Sequence, residues 1–114
     1  MKINNLDNFP TLKRGEIVMS IAGSGEKITL LRATSPPGTI LPEHSHHYEQ
    51  IGFLAEGRLK LTSGGKTFDL GPGSSWTINA NEPHEFLVVG DKSILVFEAF
   101  SPPREDYIAM AQKK

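Results

Sequence analysis

Turns rich in glycine and proline divide this chain into short segments, and this division constrains the fold more than any other feature. The 114 residues include 11 glycines and 8 prolines, and the segments between turns are rich in β-branched and apolar residues. Short runs of this kind, repeating about every ten residues, are typical of strands. The chain is therefore predicted to form one all-β domain, either a sandwich or a jelly-roll barrel.

Alternation of apolar and polar residues predicts about nine strands. The runs are residues 15–22, 27–33, 39–47, 51–54, 58–61, 66–70, 75–78, 84–89 and 93–100. Ser63-Gly64-Gly65 is the strongest hairpin signal, because adjacent glycines tolerate the positive φ angles of a tight turn. Gly23-Ser24-Gly25 is predicted to join the first two strands as a hairpin.

The end of the chain is predicted to leave the barrel as a short helix. Residues 104–112 follow a double proline and contain good helix formers, with Tyr107, Ile108 and Ala111 at helical spacing. We therefore expect a single domain over residues 1–114, with its barrel at about 15–100 and a tail at 101–114.

Charge and composition exclude several classes of partner and site. The 12 basic and 13 acidic residues give a net charge of -1, so nucleic acid and anionic membranes are not expected partners. With no cysteine, any metal must be bound by nitrogen and oxygen ligands. The N-terminus lacks a continuous apolar stretch, so the chain is expected to be cytoplasmic.

The four histidines lie in two short segments, EHSHHYEQ and NEPHEF. Because side chains alternate between the faces of a strand, His44, His46 and Gln50 are predicted to share one face. His47 and Glu49 are predicted to point to the other face. Glu49 is chemically the better metal ligand, but a β-bulge would be needed to bring it inward.

His84 is the only candidate for a third imidazole on that face, since the one other histidine, His47, is predicted to point to the other face. A lone histidine is more often a surface or core residue with local hydrogen bonds than a ligand. The clustering here instead favours a metal site, because imidazole is the commonest metal ligand. The sequence therefore predicts a divalent metal bound by His44, His46 and His84, with Gln50 as the fourth ligand.

Two motifs in this sequence resemble the cupin superfamily. The first consists of Gly38, His44, His46, position 50 and Gly57, separated by five, one, three and six residues. The second runs from Gly73 to Asn79-Ala80-Asn81-Glu82-Pro83-His84, with Asn79, Asn81 and Val88 replacing the usual Pro, Gly and Asn. The resemblance implies a small antiparallel jelly-roll barrel in which three His and one Glu bind a divalent metal. Here Gln50 stands at the Glu position.

The amide at position 50 changes the charge expected at such a site. Three neutral imidazoles and a neutral oxygen leave the full divalent charge of the metal uncompensated, so an anionic ligand is favoured. The alternative is that Gln50 only forms hydrogen bonds and the metal has three protein ligands plus water, since amide oxygen is a weak ligand for softer ions.

HSHHYEQ together with the ending FSPPREDY is similar to the KdgF family of pectin-degradation cupins. That resemblance implies conversion of 4,5-unsaturated monouronates to linear deoxy-keto-uronates. It also implies a catalytic set of Glu98, Phe100 and Arg104, with Glu98 replacing the family's Asp. The resemblance suggests nickel, although these ligands also accept Fe, Mn, Zn, Co or Cu.

Other functions are compatible with the same residues. A metal-dependent dioxygenase cupin would use the three histidines for iron, and a non-catalytic cupin would bind a small acidic sugar or other small anion. Arg104 is expected either to fold over the barrel mouth and bind a substrate carboxylate or to be a solvated or interface charge. Small cupins often pair, so a homodimer is expected.

Overall fold

Two antiparallel β-sheets form the protein in the computed structural model, which describes residues 1–111. The strands are β1 (Thr11–Arg14), β2 (Ile17–Ser24), β3 (Thr29–Ser35), β4 (Ile40–His44), β5 (Glu49–Glu56), β6 (Arg58–Ser63), β7 (Lys66–Leu70), β8 (Ser75–Ile78), β9 (His84–Val89) and β10 (Ile94–Ser101). One sheet has the order β1-β2-β3-β10-β5-β8 and the other β4-β9-β6-β7. The predicted jelly-roll fold class is confirmed.

The core lies between the two sheets and is built by the predicted alternation. In β5 every second residue from Gln50 to Leu54 is buried, and in β6 Leu59 and Leu61 are buried on either side of the exposed Lys60. Leu54 and Leu59 come from different sheets and are at most 1% exposed. Burying each such leucine contributes about 1.5–3 kcal/mol, so contact between the sheets is a main source of stability.

The Gly64-Gly65 hairpin is confirmed. Ser63 pairs with Lys66, and the two glycines between them have φ angles of 60° and 76°. A two-residue turn with two positive φ angles matches the right-handed twist of the flanking strands, which is why glycine suits both positions.

The beginning of the sheet differs from the prediction in two ways. β2 continues through Ser24 before the chain turns, and the Ser24 and Thr29 hydroxyls are 2.8 Å apart across the ladder. In addition, the sheet contains β1, which the strand pattern of the sequence does not predict. Its Leu12 pairs with Met19. A four-residue strand gives too little alternation to be recognised, so the sheet begins before the predicted boundary at residue 15.

The C-terminal helix α1 (Glu105–Met110) is shorter than the predicted 104–112, and residue 112 lies outside the described residues. Ala111 is extended, with φ -73° and ψ 142°, which ends the helix. A 3₁₀ helix (Leu6–Asn8) precedes β1. Within residues 1–111, neither helix is long and apolar enough to span a membrane.

Candidate metal centre and cavity

Three histidines meet at one end of the space between the sheets. His44 ends β4 and pairs with His84, the first residue of β9, while His46 lies in the loop that follows β4. One ring nitrogen from each residue lies within 4.8 Å of the other two. The structure thus brings together the three side chains that the sequence selected.

Backbone hydrogen bonds aim the three rings. The Nδ1 atom of each histidine lies within hydrogen-bond distance of a backbone carbonyl oxygen, so Nδ1 carries the proton and Nε2 keeps its lone pair. The acceptors are the carbonyls of Pro42, Tyr48 and Glu82, at 2.9, 3.1 and 2.8 Å from His44, His46 and His84 respectively. The tautomer needed for three Nε2 ligands is therefore favoured.

The unsatisfied Nε2 of His84 fits a bound cation. His84 is 1% exposed, and none of the described protein groups forms a hydrogen bond with this atom. A buried polar atom without a partner costs about 1–3 kcal/mol, and coordination to a metal removes that cost. Burial lowers the pKa of His44 and of His46, which keeps their imidazoles neutral and available as ligands.

Gln50, rather than Glu49, faces the histidines. Gln50 is 2% exposed and its Oε1 lies 3.0 Å from His46 Nε2, whereas Glu49 is exposed on the other face of β5. With the His46 proton on Nδ1, two lone pairs face each other across this contact. That arrangement is unfavourable by itself and becomes favourable when a cation binds both atoms.

Glu98 extends this polar cluster into the cavity. It lies on β10 opposite Gly52, and its carboxylate accepts a hydrogen bond from Gln50 Nε2. Burial raises the pKa of Glu98 to about 7, although the Gln50 hydrogen bond and the charge of Arg104 oppose the rise. A carboxyl group with a pKa near neutrality can both accept and donate a proton.

Phe100 and Tyr48 form an aromatic wall beside the histidines. Both are buried, at 3% and 8% exposure, and their ring centroids lie 5.9 Å and 5.7 Å from that of His46. The two rings meet edge to face at 6.2 Å. Phe100 and Glu98 line the same cavity.

Arg104 is buried rather than solvated. It is 5% exposed, and its guanidinium carbon lies over the rings of Tyr107, Tyr48 and Phe100 at 3.7, 4.3 and 4.7 Å. Burial alone would lower the pKa of Arg104, but hydrogen bonds to Asp106 outweigh it and raise that pKa. Of the alternatives left open for Arg104, the solvated charge is thus not what the fold of this chain produces.

The sequence pattern did not predict that two further residues line the cavity. Arg14 lines the cavity from the end of β1, and Trp76 lines it from β8. Arg14 had no usable signal, because the four residues of β1 show too little alternation to be recognised. For Trp76, the signal was its place in a predicted strand, on the same face as Ile78.

The chain is similar to curated proteins of two kinds. It is 37% identical over 102 residues to the HTH-type transcriptional regulator PuuR of Escherichia coli, covering 86% of this chain and 55% of that protein. It is 33% identical over 69 residues to an L-ectoine synthase of Bordetella parapertussis, covering 59% of this chain and 52% of that enzyme. The chain thus spans about half the length of these curated relatives.

Solved structures share the fold. KdgF from Halomonas sp. superposes with a TM-score of 0.78 at 22% identity, over 85% of this chain and 91% of that one. An RmlC-like cupin from Shewanella frigidimarina superposes with a TM-score of 0.85 at 18% identity, over 94% and 96%. The model of the cupin domain family matches residues 31–100, which include all three histidines. The chain therefore belongs to the cupin domain family.

Proposed function

We propose that this protein is a metal-dependent enzyme that converts 4,5-unsaturated monouronates to linear deoxy-keto-uronates. The observation that carries the proposal is that three imidazole nitrogens converge beside a buried carboxyl group, Glu98, in one cavity. The fold shared with KdgF is compatible with this activity, and the segment HSHHYEQ, which carries the resemblance to the KdgF family, ends in Gln50.

His44, His46 and His84 would hold the metal, with Gln50 Oε1 as a fourth ligand. A divalent ion there would supply Lewis acidity, polarising oxygens of the substrate. These ligands are neutral, so the site would carry a net positive charge and favour an anionic substrate. Nickel is the metal proposed, and its identity is open to direct measurement.

Glu98 would move the proton that the reaction requires. The hemiacetal ring opens when its hydroxyl loses a proton and the bond from the anomeric carbon to the ring oxygen breaks, which leaves an aldehyde and an enolate. The enolate becomes a ketone when carbon 4 gains a proton. The proton given up is matched by the proton gained, so the reaction is an isomerisation, and Glu98 can serve as both base and acid.

Gln50 and Phe100 would position the reacting groups. The Gln50 amide holds the Glu98 carboxylate through Nε2 while its Oε1 points to His46, so the proton carrier stays next to the metal ligands. Phe100 would wall the sugar ring and exclude water from the reacting carbons, since its buried ring lines the cavity.

An absorbance assay tests this proposal. Purified protein, its metal content measured, is mixed with a 4,5-unsaturated galacturonate under anaerobic conditions, and the ultraviolet absorbance of the conjugated double bond is followed. We expect the absorbance to fall without oxygen and the fall to be lost in Glu98→Gln and His84→Ala. Glu49→Gln is the matched control, because it also replaces a glutamate by glutamine, but on the face of β5 that points away from the histidines. Wild-type protein that leaves the absorbance unchanged, or that needs oxygen, would overturn the proposal.

A second candidate is a non-catalytic module that binds a small acidic molecule. The 37% identity to a transcriptional regulator over most of this chain favours it. Binding of D-galacturonate in calorimetry, together with no change in the absorbance of the unsaturated uronate, would support this candidate over the enzyme.

We also propose a homodimer that covers the outer face of the six-stranded sheet. Leu30, Ile51 and Phe53 are 42%, 52% and 46% exposed, and Ala99 pairs with both Leu30 and Ile51. An apolar patch of this kind on a sheet face is typical of an interface. Light scattering after size-exclusion chromatography tests it: a wild-type dimer should become a monomer in Phe53→Glu, and a wild-type monomer would refute it.

A further inference from the structure

Arg104, the residue expected to bind a substrate carboxylate, is already engaged within the protein. Its Nε and Nη2 atoms donate to the two carboxylate oxygens of Asp106, each at 3.0 Å. With 5% exposure and three aromatic rings around it, the guanidinium has little access to the cavity mouth. The Nε/Nη2 edge of the guanidinium, one of those that bind a carboxylate in bidentate fashion, is therefore occupied.

Arg14 is a second guanidinium at the same cavity, in a different environment. It is the last residue of β1, shares the parity of the buried Leu12 and lines the cavity together with His44. Its side chain is exposed, and no carboxylate in residues 1–111 forms an ion pair with it. Its one side-chain hydrogen bond runs from Nη1 to the Tyr107 hydroxyl at 3.2 Å. Most of its five N–H donors are thus free to bind a ligand.

Two structural elements hold Arg14 in place. Its backbone pairs with Ile17 in the β1–β2 hairpin, and its side chain is tethered to Tyr107, which is 8% exposed on α1. A side chain fixed at both ends loses less conformational entropy when it binds a ligand, which strengthens binding. The hairpin and the helix therefore present Arg14 as a preorganised donor.

The charges around the cavity favour an anion at this position. Glu98 is the single carboxylate among the described residues that line the cavity. It lies on β10 and bonds to Gln50, whereas Arg14 lies on β1 beside α1. A ligand carboxylate at Arg14 would thus be separated from the Glu98 side of the cavity.

We propose that Arg14 binds the carboxylate of an acidic ligand at the cavity mouth, while Arg104 remains paired with Asp106. This inference rests on the proposed function only in taking the ligand to be a small carboxylate such as a uronate. It assigns the specificity for acidic over neutral sugars to a residue outside the three-histidine cluster and outside the C-terminal segment FSPPREDY.

Calorimetric binding of a non-reacting pair of sugars, D-galacturonate and D-galactose, tests the inference. We expect wild-type protein to prefer the uronate, and Arg14→Gln to weaken uronate binding roughly ten- to a hundredfold, as expected for loss of a charged hydrogen bond. Arg14→Lys should retain part of the preference. Arg58→Gln is the control, because Arg58 is exposed and pairs with Val89, at the other end of β9 from His84.

Two results would overturn the inference: unchanged uronate affinity in Arg14→Gln, or no preference for the uronate in the wild type. Equal metal content and equal unfolding midpoints of all variants show that the site is intact. Where the absorbance assay gives turnover, Arg14→Gln should raise KM with kcat little changed, and Glu98→Gln should lower kcat. A wild type without turnover refutes the enzyme, while the sugar-binding comparison still decides the role of Arg14.

Discussion

The indole of Trp76 occupies the space that a side chain at Gly52 would fill. The two residues are paired between β5 and β8, and a Cβ built on Gly52 would lie well inside van der Waals distance of the indole ring. Trp76 is 8% exposed and its ring lies 5.8 Å from that of Phe86 on the opposite sheet. Glycine at position 52 thus allows an aromatic side chain to cross the interior and contact the second sheet.

Replacing Gly52 by alanine should destabilise the protein. The added methyl group must displace Trp76 from its packing, which costs about 1–3 kcal/mol for an overpacked core. Chemical denaturation measures the loss as a lower unfolding midpoint. Gly25→Ala is the matched control, since nothing lies within 4 Å of its Cβ position. Equal midpoints for the two variants would contradict the prediction.

His84→Ala should abolish metal binding. It removes the most buried of the three converging imidazoles, and two histidines with one amide oxygen form a poor site for a divalent ion. Elemental analysis of untagged protein should show a stoichiometric metal in the wild type and almost none in the variant. His47→Ala is the control because His47 is exposed and outside the cluster. Equal metal content in His84→Ala and wild type would show that the metal binds elsewhere.

The raised pKa of Glu98 should make chelator-treated protein less stable as pH rises. An unfolded glutamate ionises near 4.5, while burial keeps the folded Glu98 protonated up to about 7. Between these values the unfolded state has fewer bound protons, so stability falls by on the order of 3 kcal/mol across the window. Below pH 4.5 both states are protonated and the contribution is fully present.

Glu98→Gln provides the comparison for this pH effect. Unfolding free energies of the metal-free wild type and the variant are measured by urea denaturation from pH 4.5 to 8. Titration of the histidines is common to both proteins. The difference between their two curves of unfolding free energy against pH therefore reports the titration of Glu98. The difference should change between pH 4.5 and 7 and be flat above that range; parallel curves throughout would contradict the prediction.

Asp106→Asn should destabilise the C-terminal helix and its contact with the barrel. The substitution leaves the buried Arg104 guanidinium with a weaker acceptor, although the Asp106 side chain is 49% exposed and water partly compensates. A loss of about 1–2 kcal/mol is expected in urea unfolding, below the cost of breaking a fully buried pair. Glu105→Gln is the control: it removes an exposed charge from the same helical turn and should change stability little.

The sequence by itself determined the local features of the fold and of the candidate site. Strand periodicity placed Gln50 inward and Glu49 outward, because side chains alternate strictly along a pleated strand. Gly64-Gly65 predicted its hairpin because positive φ angles are a property of the residue type. The clustering of His44 and His46 is visible in their spacing, but strand alternation does not explain how they converge, because His46 lies in the loop after β4 rather than on the predicted strand 39–47.

Only the tertiary structure decided the contacts between residues far apart in the chain. Arg14 bonds to Tyr107 across 93 positions, and Gln50 to Glu98 across 48. The partner of Arg104 is only two residues away, yet its burial depends on rings contributed by the loop before β5 and by β10 as well as by α1. Such contacts depend on how the sheets and α1 pack together, which local residue type and spacing do not determine.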